Sequence, residues 1–272
     1  MRGVIGLLLL SLVVIPGSSS GPSPPPLGAC YSERPTFCSS CGAGTVTQLG
    51  GLQTYLTGPP HSKYAILMIS DIYGNEPPLL RSVADKISGA GFLVVAPDFF
   101  HGDSANPGNP KYDKATWKLN HTAEKGYEDA KSVIAALKQN GISAIGVAGF
   151  CWGGKVAVKL ASAGEVHAAV LLHPTNVTAE EIKAVEVPIA VLGAERDNGL
   201  PVAQMTLFNE ILSSPEHKID HLVKMYPHVC HGWTIRYFVN DTFAVTSAAE
   251  AHQDMINWFD DHVSRSNKCV EQ

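Results

Sequence analysis

From about residue 44 onward, short apolar runs rich in β-branched residues alternate with segments in which apolar positions recur every three to four residues. The first pattern is typical of buried strands, and the second is typical of helices that cover a sheet. Their alternation predicts an α/β fold with a mainly parallel central sheet and helices on both of its faces. One domain over residues 44–272 accounts for the whole pattern.

The bounds of the individual elements follow from where each apolar pattern begins and ends. Glycines such as Gly141 act as stop signals for the helices. The polar run at 99–118 predicts a long loop. The predicted strands are 64–70, 92–96, 142–148, 167–172, 187–193 and 218–226, and the predicted helices are 77–91, 127–141, 202–212 and a last one around 255–263.

The N-terminus has the layout of a secretory signal peptide. Arg2 is followed by the apolar stretch Val4 to Ile15 and then by the small, polar sequence PGSSSG. This stretch is shorter than the roughly 20 residues needed to cross a bilayer. We therefore expect a signal peptide at 1–20, a Pro- and Cys-rich segment at 21–43, and a secreted protein without a membrane anchor after cleavage.

Composition narrows the possible partners. A hydrophobic content of 45% is ample for a folded core. The chain has 20 basic and 25 acidic residues, a net charge of −5, and no cluster of Lys or Arg that could follow a phosphate backbone. We expect no nucleic-acid partner.

The six cysteines fit an oxidising compartment. Cys38 and Cys41 have the spacing of a redox pair or of half a zinc site, but no strand precedes them and no matching Cys/His pair follows. We expect two structural disulfides among Cys30, Cys38, Cys41 and Cys269, with Cys151 and Cys230 free. Oxidation linking Cys151 to Cys230 is a further hypothesis.

Three N-x-[ST] triplets begin at Asn120, Asn176 and Asn240. They are candidate glycosylation sites in an exported chain.

The sequence GFCWGG at 149–154 lies between a predicted strand and the helix that follows it. This is the pattern of a nucleophile elbow, a sharp turn that presents its central residue above the sheet. A Cβ at Gly149 or Gly153 is expected to collide with a neighbouring element. The positive end of the following helix favours a thiolate at Cys151. A small buried core cysteine is the alternative.

An elbow of this kind requires an acid and then a histidine, each after a later strand. Glu195 and Asp197 follow one strand, and Asp197 is preferred because Asp-Asn-Gly suits a tight exposed turn. His228 and His231 follow the next, and His231 is preferred because Gly232 lets the backbone bend there. The histidine is expected to accept the thiol proton, and the acid to fix its tautomer.

Three motifs in order, GFCWGG, GAERDNGLP and YPHVCHGW, resemble the dienelactone hydrolase family of α/β-hydrolases. The resemblance covers roughly residues 45–265. It implies that Cys151, Asp197 and His231 form the catalytic triad. It also implies an oxyanion hole made by the backbone N–H groups of Ile72 and Trp152.

The sequence departs from the bacterial members of that family at the substrate-binding positions. In those enzymes a glutamate holds the resting thiol and two arginines bind a substrate carboxylate. Here Asp71 takes the place of the glutamate and Arg236 matches one arginine, while His101 and Gly102 stand where the other is expected. Dienelactone itself is therefore not the expected substrate.

Four aromatic residues lie on loops expected to surround the elbow, where they would form an apolar pocket; core packing is the alternative for each of them. These residues are Tyr73, Phe99, Phe100 and Trp233.

Together these features predict a secreted cysteine hydrolase that opens a small ester or lactone through an acyl-thioester, with no metal or organic cofactor. One alternative is an endohydrolase of wall β-glucan, with Asp71 and Asp197 as its two carboxyl groups. Another is a non-catalytic binding module on the same fold.

Overall fold

The computed structural model describes residues 34–265. The predicted signal peptide at 1–20, Cys30 and Cys269 lie outside the described residues. The strands are β1 (Thr45–Leu49), β2 (Leu52–Thr57), β3 (Tyr64–Ile69), β4 (Leu93–Pro97), β5 (Ala144–Phe150), β6 (Ala168–Leu172), β7 (Ile189–Arg196) and β8 (His221–Cys230). The α-helices are α1 (Pro78–Ser88), α2 (Lys114–Asn120), α3 (Ala123–Gln139), α4 (Trp152–Ser162), α5 (Ala179–Lys183), α6 (Val202–Leu212) and α7 (Thr242–Phe259), and a π-helix follows at Asp260–Arg265.

These strands form one sheet in the order β1-β2-β4-β3-β5-β6-β7-β8. The pairs β1–β2 and β2–β4 are antiparallel. All pairings from β4 to β8 are parallel. The predicted α/β fold with a mainly parallel sheet is confirmed.

Helices cover both faces of the sheet, each through one apolar stripe. On one face, α3, α4 and α6 pack against the strands, and on the other α1 and α7 do so. The predicted stripe of α3, comprising Ala130, Val133, Ile134 and Leu137, is at most 2% exposed. Burying each of the larger side chains contributes about 1.5–3 kcal/mol, so these stripes hold the layers together.

The prediction of a continuous loop over 99–118 is wrong at its end, because α2 begins at Lys114. Asp113 caps this helix by accepting a hydrogen bond from the Thr116 N–H at 2.7 Å, and the buried Trp117 anchors it. The sequence prediction relied on a repeating pattern of apolar residues. A helix fixed by one capping residue and one buried side chain shows no such pattern, which explains the error. The sequence pattern also missed the β1–β2 hairpin and the single-turn α5.

The carboxyl ends of the parallel strands meet at one edge of the sheet. The segments that follow β3, β5, β6, β7 and β8 therefore lie next to one another. They include every residue predicted for the triad and the oxyanion hole. Within residues 34–265, no helix combines the length and apolarity needed to cross a bilayer.

Candidate active site

Cys151 occupies the turn between β5 and α4 with a strained backbone, at φ 53° and ψ −107°. A positive φ at a non-glycine residue costs about 1–3 kcal/mol and persists only where the surrounding packing enforces it. Cys151 is 8% exposed and is the free cysteine of the described residues. The thiol thus lies at the carboxyl edge of the sheet, with its backbone fixed.

Two glycines make the turn possible by allowing α4 to approach the sheet closely. A Cβ on Gly153 would lie 2.7 Å from the carbonyl oxygen of Ser70, beyond the end of β3. A Cβ on Gly149 would lie 2.6 Å from the carbonyl carbon of Gly153. Real Cβ atoms do not approach backbone this closely, so both positions require glycine for steric reasons.

Asp197 and His231, which follow β7 and β8, form a short hydrogen bond. His231 Nδ1 lies 2.7 Å from Asp197 Oδ2. The carboxylate is buried, and its Oδ1 accepts hydrogen bonds from the N–H groups of Gly199 at 2.7 Å and Leu200 at 3.3 Å. Because an ionised carboxylate only accepts, the Nδ1 of His231 carries the proton and Nε2 is left for another partner.

His231 has a strongly shifted pKa. Burial by itself lowers this pKa, but the hydrogen bonds to Asp197 and Cys151, together with the negative charges of both groups, outweigh burial and raise the pKa to about 9. The shift links His231 to both of the residues predicted as its partners. An imidazolium between a carboxylate and a thiol is therefore favoured near neutral pH.

The other acid and histidine candidates pair with each other away from Cys151. His228 Nδ1 lies 3.3 Å from Glu195 Oε2, and both side chains are more than 40% exposed. In contrast, the Asp197 side chain is 1% exposed. Solvent screens the outer pair, so it carries little weight as an alternative acid–base pair.

The backbone N–H groups of Ile72 and Trp152 donate no hydrogen bond to any described residue. Ile72 lies in the turn after β3, and Trp152 is the first residue of α4, where helical N–H groups have no partner within the helix. Two unpaired donors at this edge of the sheet suit an oxygen that gains negative charge.

Asp71 is buried and pairs with Arg236. Arg236 Nη1 lies 3.0 Å from Asp71 Oδ2, an ion pair whose angles fall short of a hydrogen bond. Asp71 Oδ1 accepts the N–H of Tyr73 at 3.0 Å. Burial raises the pKa of Asp71, and the nearby charge of Arg236 offsets this in part. The positive charge of Arg236 is thus already matched by a carboxylate.

The four predicted aromatic residues divide among three regions. Phe100 packs against Trp117 and Trp152 with ring centroids 5.0 and 4.8 Å apart, in a small cluster that also contains Tyr73. Phe99 belongs to the core beneath α3 and α4. Trp233 lies in the core on the opposite face of the sheet.

Sequence reasoning missed two residues after β6, His173 and Thr175. Thr175 Oγ1 lies 3.9 Å from Cys151 Sγ, and the Thr175 N–H donates to the Cys151 carbonyl at 3.1 Å. The ring of His173 lies 5.0 Å from that of His231. Their position after the strand that pairs with β5 was the available signal.

Two of the cysteine predictions are wrong. Cys38 and Cys41 form a disulfide with each other. Cys230 is also disulfide-bonded, so the expectation that it is free is wrong. Because Cys151 is free in the same structure, the hypothesis of a link between Cys151 and Cys230 does not hold either.

Within residues 34–265, no group of three or more His, Cys, Asp or Glu side chains is arranged to hold a metal ion.

A cysteine on a strained strand–helix turn, with an acid and a histidine after later strands of the same sheet, has the arrangement of an α/β-hydrolase site. The chain belongs to the dienelactone hydrolase family, whose sequence profile matches residues 52–263. This confirms the resemblance read from the three motifs. Family membership makes the chain a hydrolase of carboxylic esters or lactones and argues against a non-catalytic module.

Two relatives and one solved structure are similar to this chain. A carboxymethylenebutenolidase homologue from human is 29% identical over 82% of this chain and 92% of its own length. An endo-1,3;1,4-β-D-glucanase from maize is 41% identical over 60% of this chain, which spans 52% of that relative. The fold matches a dienelactone hydrolase structure from Klebsiella pneumoniae with a TM-score of 0.63 and 19% identity, covering 76% of this chain and 92% of that one.

Replacing Asp197 by Asn removes the negative charge beside His231. We expect the pKa of His231 to fall from about 9 towards its ordinary value of 6.5, and ester hydrolysis to fall about 10²- to 10⁴-fold because the tautomer is no longer fixed. An NMR titration of the imidazole measures the first effect. Asp129→Asn, at a half-buried carboxylate paired with His101, is the matched control and should change neither quantity. An unaltered His231 titration in Asp197→Asn would contradict the assignment.

Proposed function

We propose that the chain hydrolyses a small ester or lactone through an acyl-thioester on Cys151. The observation that carries this proposal is the short contact between His231 and the buried Asp197, 2.7 Å, at a histidine whose pKa is also raised by Cys151. A thiol, an imidazole and a carboxylate coupled in this way have the properties of a nucleophile, its general base and the group that orients the base.

In the first half of the proposed reaction, His231 already holds the Cys151 proton as an imidazolium, and the thiolate attacks the carbonyl carbon. The carbonyl oxygen becomes an oxyanion, for which the N–H groups of Ile72 and Trp152 are the proposed donors. Collapse of this intermediate breaks the carbon–oxygen ester bond. The departing alkoxide takes the proton from His231 and leaves the acyl group on sulfur.

In the second half, water attacks the thioester while His231 accepts one of its protons. Collapse of the second tetrahedral intermediate breaks the carbon–sulfur bond and restores the thiolate of Cys151 beside the protonated His231. The products are an alcohol and a carboxylic acid, which for a lactone are one hydroxy acid. Throughout, Asp197 accepts a hydrogen bond from the Nδ1–H of His231 and stabilises the imidazolium without taking its proton.

The side chains proposed to face the substrate are Asp71, Tyr73, Phe100 and Arg236. Trp233, which the sequence predicted with them, packs in the core instead. The ion pair between Arg236 and Asp71, at 3.0 Å, limits which substrates fit. A substrate carboxylate would have to compete with a buried carboxylate for the same guanidinium. This favours an uncharged ester or lactone over an anionic one.

Removing the thiol tests the mechanism. We expect Cys151→Ala to reduce hydrolysis of an activated acetate ester to the uncatalysed background, because no acyl-enzyme can form. Mass spectrometry of acid-quenched wild-type enzyme should show one acetyl group on Cys151. Alkylation by iodoacetamide should block both the adduct and the activity. Equal rates for wild type and Cys151→Ala would reject this site.

Hydrolysis of β-glucan is the second candidate, supported by the name of the maize relative. Such a reaction requires two carboxyl groups about 5 to 9.5 Å apart. Asp71 and Asp197 are the buried carboxylates of this edge, but each is paired with a basic side chain. That pairing favours the ester or lactone reaction.

The two candidates respond differently to substitution. If the chain cleaved β-glucan through two carboxyl groups, Asp71→Asn would abolish the release of reducing ends and Cys151→Ala would preserve it. We expect no release above that of a mock purification from any of the three proteins. Release by wild type that is lost only in Asp71→Asn would support the glucanase instead.

We also propose that the chain is secreted and glycosylated. Disulfides at Cys38–Cys41 and at Cys230 support this, since they form in oxidising compartments. Asn120, Asn176 and Asn240 are all exposed.

Protein collected from the medium of a eukaryotic host should lose mass on treatment with peptide-N-glycosidase, because exposed sequons are modified during export. A variant with Gln at all three asparagines is the control and should show no change. Retention of the wild-type chain inside the cells without glycans would contradict secretion.

A further inference from the structure

His173 is a buried histidine that the proposed reaction does not use. It follows β6 directly, is 0% exposed and has a strained backbone with φ 40°. Its ring meets that of His231 edge to face, with centroids 5.0 Å apart and planes at 69°. A strained residue against a candidate general base is a reason to look for a role in the reaction.

The ring of His173 contacts residues of the segment that carries His231. His173 Nε2 lies 2.8 Å from the hydroxyl oxygen of Thr234, three residues after His231. Thr234 is itself 0% exposed. Trp233 packs on the same ring at 5.4 Å. The contact therefore connects the loop after β6 to the loop after β8, next to the imidazole.

Thr234 is in turn fixed from the helices on that face. His252 Nε2 lies 2.8 Å from the Thr234 carbonyl oxygen, and His252 Nδ1 lies 3.2 Å from Lys86 Nζ. Since an ammonium group only donates, His252 Nδ1 accepts and its Nε2–H donates to Thr234. Burial and the charge of Lys86 lower the pKa of His252 to about 4, which keeps this tautomer neutral.

We propose that His173 is a positioning residue, held by Thr234, which fixes the plane of the His231 ring so that it reaches Asp197 and Cys151 together. This inference rests on the proposed function, because it assigns His231 the role of general base. An edge-to-face contact restricts ring rotation about the bond that would otherwise swing Nε2 away from sulfur. A small misorientation of His231 Nε2 relative to the Cys151 sulfur is expected to lower the reaction rate strongly.

The ring does this as a neutral group. Burial, and then the positive charges of His231 and Arg236, lower the pKa of His173 well below its ordinary value. The other rings packed on it, Phe150 and Trp233, carry no charge. A neutral ring leaves the proton on His231, whereas a second imidazolium would repel it.

The test separates positioning from simple core filling. Thr234→Val keeps the shape of Thr234 and the His173 ring but removes the hydroxyl, while His173→Gln keeps an amide near Thr234 but removes the ring. Thr54→Val is the matched control on β2. It also deletes the hydroxyl of a fully buried threonine, but that hydroxyl donates to the Leu52 carbonyl, not to a histidine. For each protein, thermal unfolding, kcat and KM for the acetate ester, and the NMR titration of His231 are measured.

We expect both site variants to lower kcat about 10- to 100-fold with KM nearly unchanged. We also expect the pKa of His231 to fall below about 9, because its hydrogen bonds to Asp197 and Cys151 are loosened. Thr54→Val should change only the unfolding temperature. Folded site variants with the wild-type kcat and the wild-type His231 titration would overturn the inference.

Failure of the proposed function would be recognised separately. Cys151→Ala with wild-type activity rejects the nucleophile, whereas the His231 titration needs no turnover and still decides whether His173 orients that ring.

Discussion

The close approach of α4 to the end of β3 is the constraint on which the site depends. Gly153 lies so near the carbonyl groups of Ile69 and Ser70 that no side chain fits between them. This contact brings the first turn of α4 against the loop after β3 and forces Cys151 into its strained conformation. The thiol and the two unpaired N–H groups therefore owe their arrangement to one backbone contact.

Much of this could be predicted from the sequence because the relevant signals are local. Buried parallel strands read as continuous apolar runs, and α3 shows its buried stripe in the spacing of Val133, Ile134 and Leu137. Strand order along the chain then places Asp197 and His231 at the same edge as the elbow. The turn could be recognised because Gly149 and Gly153 stand at the two positions around Cys151 where a Cβ would collide with the backbone.

The features that were missed depend on contacts between distant segments. His173 meets Thr234 across 61 positions of the chain, and nothing in either local pattern indicates the other. The pairing of Asp71 with Arg236 likewise could not be predicted, because nothing in the sequence around Arg236 shows that a carboxylate of the same chain neutralises it. The short helix α2 depends on a single cap at Asp113, which hydrophobic periodicity cannot detect.

The ion pair between Asp71 and Arg236 makes the proposed substrate site a candidate for redesign. The guanidinium of Arg236 already lies at the proposed substrate site. The ring of Tyr73 packs on it, with the ring centroid 5.5 Å from the guanidinium carbon. An engineer who wants the enzyme to accept acidic compounds therefore has no need to introduce a new arginine. Changing Asp71 to its amide unmasks the existing one with almost no change of shape, at the expense of an unbalanced internal charge.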